Sequence, residues 1–98
     1  MRRIVVKFGG TSVGDGGRVR SAANSVYREY KKGAQVVVVV SAMGYTTDDL
    51  ISAARTSTGG RIGEKEMDDV MAMGEKISAR IFAAALCSLG ADAKYIDP

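Results

Sequence analysis

Hydrophobic and polar positions along this chain change their period several times, and each change marks an element. Ile4-Val5-Val6 and Val36 to Val40 are short β-branched runs bounded by polar or Gly positions, the pattern of strands buried on both faces of a parallel sheet. They predict strands over about residues 3 to 8 and 35 to 41. Between them Val19, Ala22, Ala23, Val26, Tyr27 and Tyr30 fall on one stripe of an amphipathic helix that Gly33 ends. Strand, helix and strand together make a βαβ unit.

Further along, Ser41-Ala42-Met43-Gly44 predicts a turn, and Thr47-Asp48-Asp49 supplies a hydroxyl cap and first-turn acids for a helix reaching about Thr56. Ser57-Thr58-Gly59-Gly60 breaks it. Met67, Val70, Met71, Ile77, Ile81, Phe82, Ala85, Leu86 and Leu89 trace a long helical face from about Lys65, interrupted at Gly74 and closed by Gly90. Ala93 to Ile96 predicts a third strand. The order β-α-β-α-α-β predicts a three-layer α/β/α arrangement with a mainly parallel sheet. Three strands make a poor sheet and 98 residues bury a small core, so the chain is expected to be the front piece of a larger domain.

Composition narrows the chemistry. With no His and a single Cys, the chain builds neither a common zinc site nor a Ser-His-Asp or Cys-His pair. Cys87 is expected only to pack. Reactions here rest on Lys, Arg, carboxylates, hydroxyls and backbone amides. The net charge of +3 is uneven: residues 1–34 hold eight Lys and Arg against two acids, and residues 35–98 hold six against nine. A basic first third suits an anionic ligand, but the absence of long basic runs and of interleaved aromatics argues against nucleic acid. The longest uninterrupted apolar stretch is too short to span a bilayer, so a soluble cytoplasmic protein without membrane contact is expected.

The candidate chemistry sits where strands end. Lys7-Phe8-Gly9-Gly10-Thr11-Ser12 follows the first strand, and Gly14, Gly16 and Gly17 precede the helix. Strand, Gly-rich loop, helix is an anion-binding layout, because glycines let backbone amides approach phosphate oxygens and the helix adds its positive end. The usual nucleotide fingerprints are nevertheless missing. Two readings stand at this level: a phosphate loop with Lys7 as its cation, or a plain turn with Lys7 extended from the strand end into water. The second loop, with Ser41, Thr46 and Thr47, follows the other strand and opens on the same sheet edge, where ligands of open α/β sheets bind. Thr47 as a simple helix cap is the competing reading. Gly74 in mid-helix signals a close backbone approach or a helix boundary, and Glu75 beside it either faces a ligand or is an exposed helix acid.

Three segments in this order, Lys7-Phe8-Gly9-Gly10-Thr11-Ser12-Val13, Ser41-Ala42-Met43-Gly44 with Thr46-Thr47-Asp48, and Gly74-Glu75-Lys76-Ile77-Ser78-Ala79, resemble the aspartate kinases over the whole chain. The resemblance implies the amino acid kinase (carbamate kinase-like) fold, with residues 1–98 as its N-terminal portion. That portion is the aspartate-binding and phosphate-loop half, without the C-terminal nucleotide half and the ACT domains. It implies ATP-dependent phosphorylation of the L-aspartate side-chain carboxylate to 4-phospho-L-aspartate, the first step toward lysine, threonine and methionine. By correspondence, Lys7 with Phe8, Gly9 and Gly10 contacts the ATP phosphates, Lys7 being catalytic. Ser41, Thr47, Glu75 and Ser12 contact the substrate. Mg2+ arrives with the nucleotide rather than on a site of this chain. A homo-oligomer, a dimer, or pairing with a missing C-terminal portion is implied, and the piece alone is expected to be inactive. The alternatives are another amino acid kinase, against which Thr11-Ser12-Val13 and Thr46-Thr47 speak, and a non-catalytic anion-binding or assembly module complemented by a separate chain.

Overall fold

The computed structural model describes residues 2–42 and 44–96; Met43 of the expected turn and the terminal Pro98 lie outside the described residues. Two strands, β1 (Arg3–Phe8) and β2 (Gln35–Val40), pair in parallel, with Arg3 opposite Gln35 and Phe8 opposite Val40. Helix α1 (Gly16–Lys31) crosses between them, followed by α2 (Gly44–Ser57) and α3 (Glu64–Ser88). The βαβ unit is present as its sequence pattern requires.

Asp15 starts α1 as an N-cap in extended conformation, its carboxylate accepting from the Arg18 backbone N–H at 2.8 Å. At the other end, Gly33 adopts φ 93°, and the N–H of Ala34 reaches back to the Glu29 carbonyl at 3.3 Å. The same closure ends α3: Gly90 has φ 103° and the Ala91 N–H donates to the Leu86 carbonyl at 3.1 Å. These left-handed positions favour glycine, and the back-reaching bonds satisfy carbonyls that a helix end would otherwise leave unpaired.

The core forms where α1 and α3 meet the sheet. Val19, Ala22, Ala23 and Val26 from α1, Phe82 and Leu86 from α3, and Val13 from the loop before α1 make one buried cluster. Phe8, Val36, Val38 and Val40 pack against it, and the Phe8 and Phe82 rings stack at 5.4 Å between centroids. Both strands alternate, so Arg3, Val5, Lys7, Gln35, Val37 and Val39 point the other way and are exposed. Val5 is 72% and Val37 54% exposed. The described residues therefore supply the sheet and a helical layer on one face. Burial of both strand faces, as the valine runs suggest, is not achieved by these residues alone, because α1 and α3 lie together against the same side.

Local expectations are corrected in four places. Helix α2 begins at Gly44, so Thr47 lies inside it and is not its cap; packing of α2 along α3 outweighs the poor helix propensity of Gly44. Helix α3 runs unbroken through Gly74. Residues 93–96 form no strand. A ladder needs a neighbouring strand, whereas here the segment follows α3, with Arg80 over the Tyr95 ring at 4.4 Å and the Cys87 thiol 3.5 Å from the Ala93 carbonyl. Cys87 is accordingly exposed instead of packed inside.

The outline is long, 51 × 25 × 18 Å, with a radius of gyration of 15.3 Å against the ~13 Å of a compact domain of this length. Helix α3, at 1.5 Å per residue about 37 Å long, sets that length. Among the described residues no helix is long and apolar enough to cross a membrane.

The Phe8–Phe82 stack predicts an asymmetry between neighbours on α3. Phe82→Ala, at a position 2% exposed, should cost about 3–5 kcal/mol. Ile81→Ala, at a position 40% exposed, should cost about 1 kcal/mol or less. Urea unfolding of both variants by circular dichroism measures the difference.

Candidate functional site

Because β1 and β2 run parallel, the loops that leave them open at one edge, and hydrogen bonds tie the loops together there. The Ser41 N–H donates to the Phe8 carbonyl at 3.1 Å, extending the ladder one step beyond the strands. A Cβ placed on Gly10 would lie 3.4 Å from the Ala42 carbonyl oxygen, so the two loops are in van der Waals contact.

The Gly-rich loop is held from inside. The Ser12 N–H donates to the Gly9 carbonyl at 3.0 Å, and Val13 is fully buried. Arg18 donates from Nη1 to the Thr11 carbonyl at 2.9 Å, and its Nε lies 3.8 Å from Asp15. A Cβ on Gly14 would sit 3.3 Å from the Gly10 carbonyl oxygen and 3.4 Å from both the Thr11 carbonyl and Arg18 Nη1. Gly14 is thus glycine because the loop folds onto itself there. Around Gly9 a Cβ would meet nothing within 4 Å, so that stretch of backbone is open to an incoming group. The Asp15–Arg18 clamp is a feature that sequence reasoning missed. Its signal was an acid at the cap position with a base three residues on.

The third segment joins through Gly74, which is buried. A Cβ there would lie 3.1 Å from Ala42 Cβ, 3.6 Å from Thr47 Oγ1 and 3.7 Å from Leu50 Cδ1. Of the two readings of this glycine, close backbone approach is the one realised. It brings α3 against the loop after β2 and the start of α2, and places Glu75, exposed, one residue from that contact.

The candidates therefore divide. Phe8, Gly9, Gly10, Ser41 and Thr47 belong to contiguous segments at one sheet edge, with Glu75 beside them on α3. Lys7 lies opposite Val39 on the exposed face, one residue below that edge. Ser12 is elsewhere: with Phe8, Asp15, Arg18, Ser21 and Ser25 it lines an open cleft of about 420 Å³ on the α1 side of the loop, which Ser41, Thr47 and Glu75 do not line. The Thr46 side chain lies outside the described portion of the chain. No group of His, Cys, Asp and Glu among the described residues forms a metal cluster.

An open glycine loop after one parallel strand, held against the loop that follows the next, is the layout of α/β proteins that bind ligands at their strand ends. The pattern of the amino acid kinase family matches residues 2–98, and the chain belongs to that family. Within it, the chain is 46% identical over 93 residues to aspartokinase 2 of Bacillus subtilis strain 168, an alignment covering 95% of this chain and 22% of that protein. It is also 46% identical over 94 residues to the aspartokinase of Mycolicibacterium smegmatis, covering 96% and 22% respectively. The crystal structure of aspartate kinase from Synechocystis superposes with a TM-score of 0.77 at 39% identity, over 90% of this chain and 15% of that one. The chain thus spans about a fifth of the length of the curated relatives it matches, and the resemblance carried by its three motifs holds over nearly all of it.

The Gly74 contact yields a stability prediction. A β-branched side chain recovers only part of the glycine penalty of about 1 kcal/mol relative to Ala, and its bulk at a 3.1 Å approach must push α3 off Ala42. Gly74→Val should therefore lose about 1–3 kcal/mol net. A thermal melt no lower than that of the unchanged chain would contradict the close approach.

Proposed function

We propose that this chain is the aspartate-binding and phosphate-loop part of an aspartate kinase, which transfers the γ-phosphoryl group of ATP to the side-chain carboxylate of L-aspartate. What carries the reading is the convergence at one sheet edge of an open glycine loop, the loop after β2, and the Gly74-Glu75 turn of α3, each in a segment that the aspartokinase relatives align with.

In the reaction one carboxylate oxygen of aspartate attacks the γ-phosphorus, the bond to the β,γ-bridging oxygen breaks, and ADP leaves with that electron pair. The nucleophile is already ionised at neutral pH, so no general base is required and the lack of His is no obstacle. Catalysis then consists of positioning and charge neutralisation. Lys7 supplies a cation to the transferring group, and the amides of Phe8, Gly9 and Gly10 cradle phosphate oxygens. Ser41 and Thr47 donate hydroxyls to a substrate carboxylate, and Glu75 pairs with its α-ammonium. Ser12 is assigned a substrate contact only through the family correspondence. Mg2+ accompanies ATP and neutralises phosphate charge. With this activity go the cytoplasm, the pathway toward lysine, threonine and methionine, and a dimeric enzyme. The uncovered valine face of the sheet favours a second reading, in which the chain is an assembly module completed by a separate polypeptide.

A hybrid in which this chain replaces the aligned segment of the Bacillus subtilis relative tests the proposal, since failure of the hybrid to phosphorylate aspartate would refute it. In an active hybrid, Lys7→Ala should lower kcat roughly a hundredfold or more with little change in the aspartate KM. Near-normal kcat would leave Lys7 a solvated strand-end residue. Glu75→Gln should raise the aspartate KM roughly tenfold while sparing the ATP KM. Exposed Glu64→Gln is the control and should change neither.

A further inference from the structure

Helix α3 buries the row Gly74, Ser78, Phe82 and Leu86, and beside that row it leaves apolar side chains outside. Met73 is 46%, Ile77 40% and Ile81 40% exposed, with half-buried Val70 before them and exposed Ala84 after them. They stay exposed although α1 and α2 both pack on α3. These five residues follow one another in steps of three, four, four and three, so they lie along one side of the helix. An apolar seam of that period is what one helix presents to another.

Two observations select the occupant. The spacing reads the same in both directions from Ile77, and a second α3 turned end for end about that point sets Ile77 against Ile77, Met73 against Ile81 and Val70 against Ala84. Every step then meets an apolar residue. Charge is divided along the helix as well: residues 64–75 hold five acids and one Lys, whereas residues 76–88 hold Lys76 and Arg80 and no acid. Antiparallel pairing lays the acidic half of one helix along the basic half of the other and opposes the two helix dipoles. Parallel pairing would set acid beside acid.

We propose that α3 is a self-association surface, on which two copies of this chain pair antiparallel across a twofold axis at Ile77. The proposal does not depend on the kinase reading, and neither stands or falls with the other. A single helix pair makes a small interface, so the dimer is reversible and depends on concentration.

Sedimentation equilibrium of the 98-residue chain should show a monomer–dimer equilibrium. A chain still monomeric at about 1 mM overturns the proposal, whatever else might cover the seam. Ile77→Lys brings like charges together on the axis and should weaken the dimer at least roughly tenfold. Val37→Thr, on the exposed sheet face, should leave it unchanged. Loss of the dimer in Val37→Thr but not in Ile77→Lys would move the association to the sheet and overturn the proposal. Cross-linking in a Cys87→Ser background then reads the register without a disruptive charge. Under mild oxidation Ile77→Cys should form a covalent dimer by itself, because a residue on a twofold axis meets its own copy. Met73→Cys and Ile81→Cys should cross-link when mixed and not when alone. Met73→Cys alone cross-linking as readily as Ile77→Cys excludes the antiparallel register, and with it the proposal.

Discussion

Parallel pairing of β1 with β2 is the constraint on which the rest of this structure depends. Two strands that run the same way deliver their following loops to the same edge, and the helix needed to bring the chain back covers one sheet face on the way. The Phe8–Ser41 hydrogen bond carries the register past the strand ends, so the Gly-rich loop and the loop after β2 are neighbours by construction. Helix α3 then joins this edge at the one place where its own surface lacks a side chain. A bulkier residue than Gly74 would hold α3 away from Ala42 in the loop after β2 and from the start of α2.

Polar devices that are unremarkable one by one set the stiffness of the edge. Asp15 begins α1 and also engages Arg18, and Arg18 in turn holds the Thr11 carbonyl. The loop backbone is thereby fixed while the space around Gly9 stays open. In the proposed reaction a loop so fixed and so open would leave little reorganisation for the moment of phosphoryl transfer.

How much of this could be read from the sequence follows from the range of the forces involved. The strands and α1 announce themselves through β-branched runs and a single apolar stripe, which are local signals that tertiary packing does not reverse. At Gly74 the sequence offered a close approach or a helix boundary, and only the packing of α3 against Ala42 decides for the first. The start of α2 was not readable: Thr47-Asp48-Asp49 looks like a cap, yet the helix, which packs along α3, already begins at Gly44. Residues 93–96 carry a strand-like pattern, yet a strand exists only against a neighbour, and α3 occupies their surroundings. Ser78 gives no local sign of burial, because serine on a helix usually faces water. For the site, the sequence marked which segments matter, and the structure separated Ser12, on the α1 flank, from the group around Gly74.

The uncovered sheet face has a colloidal consequence. A valine-rich pair of parallel strands whose outer edges have no strand beside them among the described residues is a template for adding strands from other molecules. On that face β1 alternates Arg3, Val5 and Lys7, so two positive charges flank the most exposed valine. They act as gatekeepers, making like-to-like stacking of the face electrostatically unfavourable. The lysine proposed for phosphate chemistry thus also contributes positive charge to this face, and neutralising it would remove part of the repulsion between two such faces.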